Sequence, residues 1–113
     1  MDEKRTTARA FHDADGVEDW RVLFSGAHAY YRVASFSEGA RFVAAIAEVG
    51  DAVGHFPDVD LRPEGVTVRT CSGEYGALSE RDVEMARRVS AAARSLHLAV
   101  SYTHLTLPTT ERV

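Results

Sequence analysis

Gly54-His55-Phe56-Pro57-Asp58-Val59-Asp60-Leu61-Arg62-Pro63-Glu64-Gly65-Val66-Thr67-Val68-Arg69 is the stretch that decides the architecture. Val59, Leu61, Val66 and Val68 alternate with Asp60, Arg62, Thr67 and Arg69. That period of two turns one set of side chains inward and the other outward, as in a half-buried strand. Pro63-Glu64-Gly65 lies between the two runs and reads as a turn, which makes them a hairpin. Gly54 marks the end of a helix before it, and Pro57 forces the chain away from helix.

Upstream of Gly54, Ser35-Phe36-Ser37-Glu38 has the form of a capping box and opens that helix, which runs to about Val53. Phe42, Ile46, Val49 and Val53 fall on one face, broadened by Val43 and Ala45, while Gly39 and Gly50 weaken the helix slightly. Earlier still, Trp20 to Phe24 and Ala27 to Ala34 flank Ser25-Gly26 and read as another hairpin. A short helix is expected over Thr6 to Asp13, with Ala8, Ala10 and Phe11 inward, broken at Asp15-Gly16. Downstream, Ser79 caps a last helix with Asp82 at its third position. Leu78 and Val83 are spaced as a hydrophobic staple, and Met85, Val89, Ala92 and Leu96 supply the buried stripe. The order helix, hairpin, helix, hairpin, helix predicts an α+β fold: a four-stranded antiparallel sheet with helices packed on one face.

The chain has 113 residues and reads as one domain over 1–100. Ser101-Tyr102-Thr103-His104-Leu105-Thr106-Leu107-Pro108-Thr109-Thr110 has no place in this pattern. Residues 101–113 are taken as an irregular tail of the read-through kind, with an added edge strand or a contact to a neighbouring chain as its roles if ordered. A natural chain continuing past Leu98 would make this the front part of a larger protein. The formal net charge of −4 argues against binding a phosphate backbone. Arg87, Arg88 and Arg94 read as a solvated face. No apolar run reaches membrane-span length. Met1-Asp2-Glu3-Lys4-Arg5 leads into polar residues without a signal-peptide core. Cys71 is the sole cysteine and lacks a basic neighbour in sequence, so it reads as an inert thiol. Together these features predict a cytoplasmic protein.

Five histidines are present, and no two have the i, i+4 spacing that lets imidazoles grip one metal on a helix, so no metal site is expected. His55 stands apart through its surroundings. It follows a helix C-terminus, where the dipole favours a cation. Phe56 offers an aromatic wall, and Asp51, Asp58, Asp60 and Glu74 are candidate orienting carboxylates. The residues alone leave two readings of His55: a helix cap, or a proton donor with a carboxylate partner. Asp82 is likewise either a helix-start residue or a site residue, and Glu74 and Tyr75 either exposed loop residues or site residues.

His55-x-Pro57 and the later Gly73-Glu74-Tyr75-Gly76-Ala77-Leu78-Ser79-Glu80-Arg81-Asp82, at matching distance, resemble the signature of the pterin-4a-carbinolamine dehydratases. The resemblance spans about Trp20 to Leu96. It implies an α+β fold in dimers or tetramers that needs neither metal nor organic cofactor. The implied chemistry is acid–base dehydration of 4a-hydroxytetrahydropterin to the quinonoid dihydropterin. The family motif has two adjacent histidines before the proline. Here His55 is the first, and Phe56 stands in place of the second. A third family histidine is replaced by Gly73, with the following acid kept as Glu74, and Val59 stands where tryptophan is usual. The resemblance thus implies His55 as the catalytic residue. It implies Asp51, Phe56, Pro57, Asp58, Glu74 and Asp82 as substrate-binding residues. A pterin is the implied partner, with no nucleic acid or membrane. Weak dehydratase activity or a non-catalytic binding or dimerisation module are the two expectations, and the first requires His55 turned into an enclosed space beside acidic groups.

Overall fold

The structure is a computed structural model and describes residues 5–73 and 77–100. The elements, in chain order, are β1 (Arg5–Thr6), α1 (Ala8–Asp13), β2 (Arg21–Leu23), β3 (Gly26–Arg32), α2 (Phe36–Val53), β4 (Asp58–Arg62), β5 (Gly65–Thr70), β6 (Leu78–Ser79), α3 (Glu80–Ser95) and β7 (Ala99–Val100). The main sheet has the order β2-β3-β5-β4 and is antiparallel throughout. Its inner face carries Ala27, Ala29 and Tyr31 from β3 and Val66, Val68 and Thr70 from β5, all buried. Phe42 and Ile46 of α2 and Met85, Ala86, Val89 and Ala93 of α3 close the core over it. The other face is polar, with Arg21, His28, Arg69 and Asp58 in one cross-strand row. Burial and, secondarily, Arg69 hold His28 below its ordinary pKa. Its Nε2 lies 3.0 Å from the Ser25 hydroxyl.

The α+β architecture with helices against an antiparallel sheet matches the expectation, with three additions. Two-residue β7 pairs with Tyr31 and Arg32 on the edge of β3, making a fifth strand. Two-residue β1 and β6 form a separate ladder, Arg5 opposite Ser79 and Thr6 opposite Leu78. Strands this short carry no periodicity. The turns also shift: Phe24-Ser25 and Pro63-Glu64 turn the hairpins, while Gly26 and Gly65 already belong to β3 and β5. In α1, Phe11 is buried, but Ala8 and Ala10 are exposed, contrary to the inward placement expected for them, because six residues present only one side chain to the core. Residues 101–113 lie outside the described residues. Among the described residues no helix is long and apolar enough to cross a membrane.

Helix α2 begins as its capping motif requires, with the Ser35 hydroxyl accepting from the Glu38 amide at 3.1 Å. The return bond lands one residue early: Glu38 Oε1 accepts from the Ala34 amide at 2.6 Å rather than from Ser35. Gly54 ends the helix in the left-handed region at φ 77°, a conformation that glycine adopts without steric cost.

Ser90 of α3 ties the aromatic hairpin to the helix layer. Its Oγ accepts from Trp20 Nε1 at 3.0 Å and lies 3.1 Å from the Tyr31 hydroxyl, which in turn donates to Asp19 at 2.8 Å. Burial holds the Tyr31 phenol well above its ordinary range, so it remains a donor. Ser90→Ala strands a buried indole N–H. The expected loss is about 1–3 kcal/mol, read from the urea midpoint at unchanged slope.

Candidate active site

The C-terminus of α2 and the N-terminus of α3 meet at one end of the sheet. Gly54 turns the chain out of α2, and the His55 amide still bonds to the Gly50 carbonyl at 3.2 Å. Arg81, in the first turn of α3, donates to the Gly54 carbonyl at 3.3 Å. His55 therefore leaves the helix braced from both sides. Its side chain is 16% exposed, and Nε2 lies 2.9 Å from Oδ1 of Asp82, which is fully buried. Among the described residues nothing pairs with His55 Nδ1.

Asp82 is the third residue of α3, and there it completes a capping box with Ser79. Oδ2 accepts from the Ser79 amide at 2.8 Å and from the Ser72 hydroxyl at 2.5 Å. Oδ1 accepts from the Thr70 hydroxyl as well as from His55. A buried carboxylate is tolerated only with its lone pairs taken up in this way. A carboxylate only accepts, so Nε2 carries the proton of the shared bond, and Nδ1 is left as the nitrogen that can exchange one.

The expected orienting carboxylates need correction. The acid on His55 is Asp82, not Asp51, Asp58 or Asp60. Asp51 lies one turn back on α2, but its side chain is exposed and makes no bond to His55. The left-handed turn at Gly54 interrupts the helical register that would have aligned them. Asp58 faces the outer side of the sheet and pairs with Arg69, whose guanidinium is held above its ordinary range mainly by that hydrogen bond. Asp60 pairs with Arg62 at 3.1 Å. Pro57 is partly buried between the site and β4. Phe56 is 63% exposed, its ring lying on α2 so closely that a Cβ on Gly50 would come within 2.5 Å of it. Gly50 is therefore required for that approach, which accounts for a glycine inside the helix. Glu74 and Tyr75 lie outside the described residues.

Thr70 and Ser72 are site residues that the sequence reading missed. Their signal was register: continuing the inward series Val66, Val68 puts polar Thr70 and Ser72 on the core side. Cys71 does have a basic neighbour, Arg69, which lies 3.7 Å from its sulfur while bonded to Asp58. Among the described residues no three His, Cys, Asp or Glu side chains converge as a metal-binding group.

The model of the pterin 4 alpha carbinolamine dehydratase family matches residues 2–92, and the chain belongs to that family. A protein of Koribacter versatilis (strain Ellin345), named "Putative pterin-4-alpha-carbinolamine dehydratase", is 33% identical over 60 residues, covering 53% of this chain and 64% of that protein. One of the same name from Chloroflexus aurantiacus (strain ATCC 29366 / DSM 635 / J-10-fl) is 30% identical over 71 residues, 63% of this chain and 76% of the relative. The chain thus spans less than two thirds of the Koribacter relative's length. The crystal structure of a transcriptional coactivator/pterin dehydratase from Brucella melitensis superposes with a TM-score of 0.65 at 25% identity, over 80% of this chain and 99% of the other.

Proposed function

We propose that the chain dehydrates a 4a-hydroxytetrahydropterin to the quinonoid dihydropterin, slowly, with His55 as its one imidazole acid. The observation that carries this reading is the His55–Asp82 pair, in a chain of the dehydratase family. With Nε2 held by Asp82, Nδ1 of the protonated ring gives its proton to the C4a hydroxyl. The C4a–O bond breaks, water departs, the N5 proton passes to solvent, and a C4a=N5 double bond forms. Neutral His55 then takes a proton back at Nδ1. Pro57 and Phe56, which follow His55 in the chain, serve in this reading as the apolar contacts of a flat bicyclic substrate, with Asp51 and Glu74 as its polar ones. No metal or organic cofactor enters the reaction, and the reading places the protein in the cytoplasm as a homodimer or homotetramer. The test follows loss of the 4a-hydroxypterin by ultraviolet absorbance with purified protein. A rate above buffer that disappears in His55→Ala is expected. Typical enzymatic turnover that survives His55→Ala would falsify the assignment.

A second reading has its own support. Phe56 and Gly73 stand where the family motif has imidazoles, and Phe56 is largely exposed. Both replacements suit a binding or dimerisation module that keeps the fold and not the chemistry. A buffer-level rate in the wild type, with a dimer or tetramer by sedimentation that Phe56→Ser dissociates, would select this reading.

A further inference from the structure

We infer that Thr70 is a positioning residue for the His55–Asp82 pair: its hydroxyl fixes the carboxylate, and through it the tautomer that His55 presents. The site contains two kinds of restraint on Asp82. The Ser79 amide and the Ser72 hydroxyl hold Oδ2, tying it to the start of α3 and to the chain after β5. Among the described residues, Thr70 alone joins His55 on Oδ1. It is 1% exposed and stands on β5, an interior strand paired to β3 and β4, so its side chain is held by the rigid centre of the sheet. With both oxygens engaged, the carboxylate cannot swing, and His55 keeps Nε2 as donor and Nδ1 free. Without the Thr70 hydroxyl, Oδ1 has His55 as its one remaining bonded partner among the described residues. The carboxylate can then rotate about its Oδ2 bonds and the imidazole can turn over. The hydroxyl thus serves proton transfer at an atom it never touches. Loss of such an outer support typically lowers activity by about 10–100-fold.

The inference rests on the dehydratase reading only for its turnover arm. The variant is Thr70→Val, which keeps the branched shape that suits a strand. In long-range ¹⁵N–¹H spectra at alkaline pH, wild-type His55 should show the Nε2–H tautomer alone. Thr70→Val should add an Nδ1–H population, and Thr70→Ser should restore the single form. Where turnover is measured, Thr70→Val should lower kcat about tenfold with KM unchanged, again rescued by Thr70→Ser. A Thr70→Val protein with the wild-type tautomer signature overturns the inference. Should that variant not fold, the wild type decides: an exchange-protected Thr70 hydroxyl proton with a cross-peak to the His55 Nε2 proton supports it, and absence of that proton signal overturns it. A wild type without turnover but with the tautomer effect rejects the dehydratase reading and leaves the positioning role standing.

Discussion

Asp82→Ala is expected to lower the unfolding free energy by about 3–5 kcal/mol, the range for breaking a buried charged network, and to bring dehydration down to the buffer rate. The carboxylate is fully buried and accepts from the Ser79 amide, the Ser72 and Thr70 hydroxyls and His55 Nε2. Alanine leaves those donors facing an empty space, removes the capping box of α3 and cuts the link between the two helix ends. A cap alone is worth about 1 kcal/mol, so a loss near that figure would mean that the remaining donors find other partners or water. Asp82→Asn separates the two effects. The amide oxygen can keep the Ser79 and Ser72 bonds, so most of the stability should return. Its NH₂ then faces His55 and demands an acceptor there, which forces the ring into the Nδ1–H tautomer. Stability recovered without activity is the expected pattern, by urea denaturation and pterin absorbance on the same preparations.

That dual role explains what the sequence could and could not disclose. Ser79 and Asp82 at capping-box spacing identified the start of α3, because the motif is local. Alternation in Val59–Leu61 and Val66–Val68 likewise disclosed β4 and β5, and the Phe42–Ile46 spacing disclosed α2. The partnership of residues 55 and 82 depends on how α2 and α3 pack over the sheet, and no local pattern encodes that. The sequence therefore offered nearby acids, Asp51, Asp58 and Asp60, for a histidine whose partner lies 27 residues away. Thr70 escaped notice for a related reason. A threonine suits any strand, and only its inward register beside a buried carboxylate gives its hydroxyl a task.

Restoring the missing imidazoles should raise the dehydration rate. Phe56→His with Gly73→His is expected to increase it about 100-fold or more, since a positioned acid–base group contributes on the order of 10²–10⁴. Both positions can accept the change. Phe56 is 63% exposed, and the smaller imidazole fits against Gly50, which has no Cβ to meet it. Gly73 is exposed and lies outside the left-handed region, and among the described residues a Cβ there would meet Ala77 Cβ, at 3.3 Å, a contact that a slight shift of Ala77 relieves. Stability should therefore stay within about 0.5 kcal/mol of wild type, as for most surface substitutions away from special backbone positions. The single variants should fall well short of the product rule, because groups acting on one transition state are not independent. The comparison also separates the two readings of the chain. A folded double variant that dehydrates the substrate no faster than wild type would mean that the end of the sheet beside His55 no longer receives a pterin, and the non-catalytic module would be the better description. A rise that disappears when His55→Ala is added would show that the buried Asp82 still holds a working imidazole in a site from which only its neighbours have been lost.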